Sequence, residues 1–451
     1  QMISIMEALA IAILLAWPIF TNKTPNILRN FALKFPKNTK VIVRILNSKK
    51  ILIVYLASAG LLFYSLTNYF EWGFNFGRDS QGQISNTVLD DYARNIAEKC
   101  AGAKYKPTCY EEEIPKLMDK ISMEEAFGVT RLVQDKDRSY QYCHVLGHAL
   151  SAKEAAKDPD KWKDVIPRCP SGLCSNGCIH GAFQERFRTE VLNDSDLDTL
   201  KTDLANVCEE RPNWKPTGLE QGTCYHAVGH LLMNVTGANI NKSLGICREI
   251  GVKANGWDWS KLCFDGAFMQ IFQPLEDEDF VLVAGKQPKK EELKSFCGSY
   301  SGNKRVSCWG EGWPLYFEEI MTPQGLVTFC SKSLLTNKGD QDMCYNGLFY
   351  VITAQFQFDL NKVKPFCEGL PQERMNQCFA GAASRLIETD YRNIPVVSSF
   401  CASITNSASK DACYEELIKY STYNFHAGSE KYFELCNSIP EPWKNRCLNP
   451  R

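Results

Sequence analysis

Five of the six histidines in the chain lie within 87 residues, in the three motifs YCHVLGH, CIHGAFQE and CYHAVGH. In the first and third motifs two histidines stand four residues apart, which places both on one face of a helix. The middle motif has a single histidine at the corresponding turn. The five residues are His144, His148, His180, His226 and His230.

This pattern is typical of a metal site. Neutral imidazole suits zinc, copper, iron and nickel, and helices that pack about 8–10 Å apart can bring imidazoles from adjacent repeats to one ion. Asp265 occupies the aligned position in the next repeat, and Glu185 follows His180 by about one turn; each is a candidate ligand or an acceptor for a ring N–H. The sequence predicts a transition-metal site, with zinc or copper preferred and iron retained as an option.

An alternative is that these histidines line a groove and hydrogen-bond to neighbouring helices or to a peptide, with no metal. The sequence contains neither HExxH nor the C-x-x-C-H haem attachment motif. It also has no nucleophile elbow, phosphate-binding glycine loop or dinucleotide fingerprint in a suitable context. Ordinary soluble enzyme chemistry is therefore disfavoured.

The twenty cysteines all lie beyond residue 99, as expected for an oxidising compartment. Most form close pairs, and the second cysteine of each pair recurs every 34 to 46 residues. Cys143 and Cys174 are left to pair with each other if Cys169 pairs with Cys178, and a zinc site built from these thiolates is the alternative. The predicted bridges are Cys100–Cys109, Cys143–Cys174, Cys169–Cys178, Cys208–Cys224, Cys247–Cys263, Cys297–Cys308, Cys330–Cys344, Cys367–Cys378, Cys401–Cys413 and Cys436–Cys447.

A period of this length matches one helical hairpin. Apolar residues precede the first cysteine of a pair at helical spacing, and a similar apolar segment follows the second, as in CIHGAF, CFDGAF, CYNGLF and CFAGAA. Glycine stands three residues after the second cysteine in these segments, where it permits close helix packing: Gly181, Gly266, Gly347 and Gly381. In period and hairpin form, residues 88–451 resemble the tetratricopeptide and Sel1-like α-solenoids. The resemblance implies an all-α array of about ten repeats with a long concave binding face.

The first 70 residues differ from the rest. Residues 51–70 are apolar and uncharged, long enough to cross a bilayer, and residues 1–20 form a second apolar segment, either a span or a signal-like or interfacial helix. Residues 21–50 carry eight basic and no acidic side chains, which predicts a cytoplasmic loop. Residues 71–87 are then a linker to an extracytoplasmic repeat domain.

Beyond residue 70 the chain has 43 basic and 51 acidic residues. This mildly acidic balance argues against nucleic acid as a partner. The favoured function is a membrane-anchored extracytoplasmic scaffold with a metal site, which binds other proteins through its solenoid surface in a membrane or envelope assembly. The alternative is a metal-dependent extracytoplasmic enzyme that uses the His/Glu cluster.

Overall fold

The computed structural model describes residues 84–187, 190–275, 277–331 and 334–449. This part of the chain is all-α, as the sequence predicts. Its helices are α1 Asn86–Cys100, α2 Lys106–Glu113, α3 Met123–Lys136, α4 His144–Ala155, α5 Trp162–Val165, α6 Gly177–Phe187, α7 Asp194–Val207, α8 Gly218–Val235, α9 Ile240–Gly251, α10 Ser260–Phe272, α11 Asp277–Leu282, α12 Leu293–Gly298, α13 Gly302–Glu311, α14 Phe317–Ile320, α15 Pro323–Ser331, α16 Lys338–Gln355, α17 Leu360–Glu368, α18 Gln372–Thr389, α19 Ile394–Ala402, α20 Ser407–Asn424, α21 Glu430–Ser438 and α22 Trp443–Leu448.

Nine of the ten disulfides each close a helical hairpin: the first cysteine lies at or near the end of one helix and the second lies in the helix that follows. The tenth, Cys143–Cys174, joins the start of α4 to the turn before α6. The structure pairs all twenty cysteines in the ten bridges predicted from their spacing, with Cα–Cα distances of 4.7–5.8 Å. No free cysteine remains, so no thiolate is available as a zinc ligand.

Local sequence explains where the helices begin and which face they bury. Helix α8 starts at a capping box in which Thr217 and Glu220 satisfy each other's backbone N–H groups. Asparagine caps α7, α9, α16 and α20 in a similar way, with its side-chain oxygen accepting from a first-turn N–H. Helix α7 buries its apolar stripe, Leu197, Leu200, Leu204 and Val207, against the array.

The array curves until its late repeats meet its early ones. Helix α20 packs against α8, and α18 packs against the turn before α6. The Tyr391 amide donates to the Gly172 carbonyl at 3.1 Å, and Lys431 Nζ donates to the Ser171 carbonyl at 3.0 Å. The concave side expected from an open solenoid is therefore closed into a central cavity.

Side chains also join the two ends of the array. The Arg392 guanidinium donates to Gln134 Oε1 at 2.8 Å and forms an ion pair with Asp135 at 3.2 Å. A Cβ built at Gly218 would lie 2.4 Å from the Tyr423 ring, so the two helices approach closely because glycine has no side chain. The sequence does not predict this closure, because the joined residues are more than 200 positions apart.

The predicted segments 1–20, 21–50 and 51–70, and most of the linker 71–87, lie outside the described residues. Among the helices that the structure describes, none is both long and apolar enough to span a membrane.

Removal of the Cys143–Cys174 bridge by a double serine substitution should destabilise the fold. This bridge joins residues 31 apart, and the chain-entropy model assigns about 3–4 kcal/mol to a loop of that size. Urea unfolding would measure the loss. The Cys436–Cys447 bridge, which closes a shorter loop at the end of the array, is the matched control, with an expected loss of about 2.5–3 kcal/mol. An unchanged urea midpoint after removal of Cys143–Cys174 would contradict this account.

Candidate metal centre

Three adjacent helices bring the histidines together. Helix α4 carries His144 and His148, α6 carries His180, and α8 carries His226 and His230. His148 Nε2 lies 3.1 Å from His144 Nε2 and 3.1 Å from His180 Nδ1. Ligand atoms of these three residues all lie within 4.8 Å of one another, and all three side chains are buried.

Glycines set the distance between the helices that carry these histidines. A Cβ built at Gly177 would lie 2.2 Å from the His144 carbonyl oxygen, and one at Gly181 would lie 2.1 Å from that of His148. Gly177 and Gly181 are four residues apart, as are His144 and His148. Two successive turns of α6 therefore lie directly against two successive turns of α4. The close approach is possible because neither glycine has a side chain.

The same arrangement recurs one hairpin later. In both His144-Val-Leu-Gly147-His148 and His226-Ala-Val-Gly229-His230 a glycine directly precedes the second histidine. A Cβ at Gly229 would lie 2.1 Å from the Cys263 carbonyl oxygen, and one at Gly266 would lie 2.0 Å from that of His226. Gly347 differs from Gly181 and Gly266, because a Cβ there would meet nothing within 4 Å, and it lines the central cavity instead.

A side-chain amide orients one histidine in each copy of the motif. His148 Nδ1 lies 2.9 Å from Gln184 Oε1, and His230 Nδ1 lies 2.7 Å from Gln270 Oε1. Because a carbonyl oxygen only accepts, each Nδ1 carries the proton and each Nε2 presents a lone pair. The lone pair of His148 is directed at His144 and His180, and that of His230 at His226 Nε2, 3.2 Å away.

The two histidine groups are contiguous. The His180 ring lies 5.3 Å from the His226 ring and 5.7 Å from the His230 ring, centroid to centroid. The structure therefore brings all five predicted histidines into one cluster, of which His144, His148 and His180 have the spacing of a shared ion. His226 and His230 form a second pair beside them.

The two predicted carboxylates are not in the three-histidine group. Glu185 follows His180 by five residues, about 140° around the helix, whereas Gln184 follows it by four and shares its face. The Asp265 carboxylate lies in the cavity wall, where it accepts from Lys261 Nζ at 2.8 and 3.0 Å. Sequence reasoning missed Gln184 and Gln270; the i+4 spacing of HGAFQ was the available signal for Gln184.

A left-handed turn positions the start of α6. Cys174, Ser175 and Asn176 have φ values of 53°, 49° and 54°, a conformation that costs non-glycine residues about 1–2 kcal/mol each. The Cys143–Cys174 bridge ties this turn to the start of α4, and Asn176 Oδ1 accepts from the Gly172 amide. The strained turn thus joins the two helices that carry the three-histidine group.

The environment keeps these imidazoles neutral. Burial, together with the positive charge of Arg385, lowers the pKa of His144 to about 3. Burial also lowers the pKa of each of the other four, with neighbouring histidines contributing for His148, His180 and His226. Neutral imidazole is the form that binds metal.

The three-histidine group opens onto the central cavity, which has a volume of about 780 Å³. His144 and His180 line it, whereas His148 lies behind them. The cavity wall also has two half-buried acids: desolvation, together with the charge of Asp265, raises the pKa of Glu311 to about 8, and desolvation raises that of Glu388 to about 7 against the effect of Arg385. Aromatic side chains complete the wall, among them Tyr142, Trp313, Tyr350, Phe358 and Tyr423.

Comparison with known protein families, curated proteins and solved structures gives no match. The class is therefore defined by the fold and the site: this is a disulfide-rich helical repeat protein with a buried three-histidine group able to hold a metal ion. Its ten disulfides indicate an oxidising, extracytoplasmic compartment.

Substitution of Gly229 by alanine should disturb the second histidine pair. The added Cβ would meet backbone atoms of Cys263 and Ala267 at 2.1 and 2.7 Å, so α8 and α10 must separate, and overpacking of this kind costs about 1–3 kcal/mol. Gly245→Ala in α9 is the matched control: its Cβ meets nothing within 4 Å, and we expect it to stabilise by about 0.5–1 kcal/mol. Urea unfolding of both variants checks this, and equal stability of the two would contradict it.

The metal-free protein should lose stability as the pH falls below about 6.5. Unfolded histidines bind protons near that pH while the buried ones do not, so the unfolded state gains protons first and stability falls. Each histidine contributes up to about 1.4 kcal/mol per pH unit. Urea midpoints between about pH 7 and about pH 5 would give the slope. His148→Gln should reduce the number of protons taken up on unfolding by one and so make that slope shallower. An unaltered slope would refute the statement that His148 is buried in its neutral form.

Proposed function

We propose that this protein is a membrane-anchored, extracytoplasmic repeat protein that binds one transition-metal ion through His144, His148 and His180. The observation that carries the proposal is the convergence of three imidazoles from two helices on a common point beside a cavity. Gln184 supports it, since an acceptor on the second ring nitrogen is the usual partner of a metal-binding histidine.

Two of the three distances between ring nitrogens are close to those around a tetrahedral ion. Zinc–nitrogen bonds of about 2.0–2.1 Å in tetrahedral geometry separate two ligand nitrogens by about 3.3 Å. His148 Nε2 lies 3.1 Å from a ring nitrogen of each of its two partners. His148 Nε2 carries a lone pair, and a cation between the three nitrogens would be bound by one lone pair from each ring. An all-imidazole donor set suits zinc or copper, with iron as a further option.

The scaffold part of the proposal rests on the fold. Ten bridges hold the hairpins rigid, and the array is closed, so its outer surface is the one that other proteins can reach. The apolar segments 1–20 and 51–70, with the basic residues between them, support anchoring in a membrane. We therefore place the repeat domain outside the membrane as a docking subunit of a membrane or envelope assembly.

A second candidate is a metal-dependent enzyme. The observation in its favour is the cavity: His144 and His180 face a space of about 780 Å³ that also holds Glu311 and Glu388, each with a raised carboxyl pKa. A three-histidine ion with an open position on a cavity is the arrangement that activates water, and a carboxyl group titrating near neutrality can transfer the proton.

Metal content distinguishes the metal site from a groove without metal. Protein purified without a histidine tag or chelator should contain about one equivalent of a transition metal by mass spectrometry. His148→Ala should abolish it, because His148 contacts both partners. His426→Ala is the matched control: His426 is the one histidine outside the cluster, is exposed, and contacts the Lys215 carbonyl, so its loss should leave the metal in place.

Two residues that follow His180 on α6 allow a second test of the metal site. Gln184→Leu removes the acceptor for His148 Nδ1 and should weaken metal binding by about 10–100-fold. Glu185→Gln, one residue further around α6, should have little effect. Metal competition with a chromophoric chelator would measure both. Absence of metal from the wild type, or equal retention by His148→Ala and His426→Ala, would leave the histidines as groove residues.

A further inference from the structure

Arg385 is a buried arginine that the metal site does not use. It lies on α18, its side chain is 3% exposed, and it lines the central cavity. Its Nε and Nη1 atoms have no hydrogen-bond partner, its side-chain hydrogen bond is with Tyr142, and none of the ion pairs among the described residues includes it. Burying guanidinium N–H groups that have no acceptor is costly, because burial removes water without supplying a counter-charge.

Two tyrosines hold this guanidinium in place. Its Cζ lies 3.1 Å from the centre of the Tyr350 ring and 5.6 Å from that of the Tyr142 ring. Cation–π contact of this kind stabilises an arginine and still leaves its in-plane N–H groups free to donate. Tyr142 also stacks on His144, with ring centres 5.8 Å apart, so the arginine lies next to the three-histidine group on the same cavity.

The other charges of the cavity define what can bind there. Lys261 is already paired with Asp265, and Glu311 accepts from Gln273 Nε2 at 2.8 Å. Glu388 lies one turn from Arg385 on α18 but does not form an ion pair with it. Arg385 therefore supplies one unpaired positive charge in a wall that is otherwise neutral or acidic, which favours a singly charged anion over a doubly charged phosphate.

We propose that the central cavity binds a small organic acid, with its carboxylate on Arg385 and its apolar part against the aromatic wall. Arginine presents parallel N–H donors that match a carboxylate. The tyrosine rings beside it provide contact area for a flat or apolar body. This proposal goes beyond the metal site and does not depend on it, because the donors are those of the chain itself.

Fluorobenzoate is a suitable probe, and fluorine NMR would measure its binding to the metal-free full chain. The wild type should bind it saturably, and Arg385→Gln should bind it at least about tenfold more weakly, as expected for loss of a charge-assisted hydrogen bond. Arg385→Lys should retain part of the affinity. Inorganic phosphate should compete less well than unlabelled benzoate. Tighter binding of phosphate would overturn the assignment to a carboxylate.

Arg374→Gln is the matched control. Arg374 is on the same helix and is also buried, at 8% exposed, but it is paired with Asp342 and lies outside the cavity wall. The Arg374→Gln variant should lose thermal stability and keep probe binding. Arg385→Gln should lose probe binding with a smaller change in its thermal midpoint, because its guanidinium contacts only tyrosine side chains and has no ion pair to lose. Equal probe binding by wild type and Arg385→Gln, or no saturable binding by the wild type, would refute the proposal.

Discussion

The structure depends on the covalent closure of each hairpin. Helices of four to eighteen residues are marginal by themselves, and their stability comes from the face they bury against neighbours. Nine of the ten disulfides fix the end of one helix to the helix that follows, so the two helices of a hairpin are held together covalently. These bridges restrict the unfolded chain and stabilise the hairpins from which the closed array is built.

Closure converts a concave face into a cavity, and this changes the chemistry of the side chains on it. Histidines on an open solenoid would be hydrated and would titrate near their ordinary pKa. Here the wall formed by α4, α6 and α8 is covered by α18 and α20, and burial lowers the pKa of His144 to about 3. The same burial leaves the Nε and Nη1 atoms of Arg385 without a hydrogen-bond partner. The proposed metal ion and the proposed anion would therefore bind from opposite sides of one cavity, the ion at the histidines of α4 and α6 and the anion at Arg385 of α18.

Much of this architecture could be predicted from the sequence, and the exceptions have physical causes. The spacing of the cysteines predicted the hairpins and their bridges, because a disulfide across the turn of a hairpin joins residues with a short, regular sequence separation. The i,i+4 spacing of the histidines in adjacent repeats predicted the cluster, since helical periodicity decides which residues share a face. Closure depends on contacts such as Arg392 with Asp135, between residues with no sequence relation, and Arg385 became a candidate only once closure placed it beside His144.

The side chain beside His148 shows how the site is built. The sequence places Glu185 about one turn from His180 as a candidate ligand or acceptor, and the residue that contacts His148 is the amide of Gln184. A glutamate there would carry charge into a buried site with no cation of the protein's own nearby except Arg385, at a high desolvation cost. A glutamine fixes the same tautomer without a charge. The second copy of the motif uses Gln270 in the same role, so the chain orients both histidine pairs with neutral acceptors and leaves the site able to fold before any ion arrives.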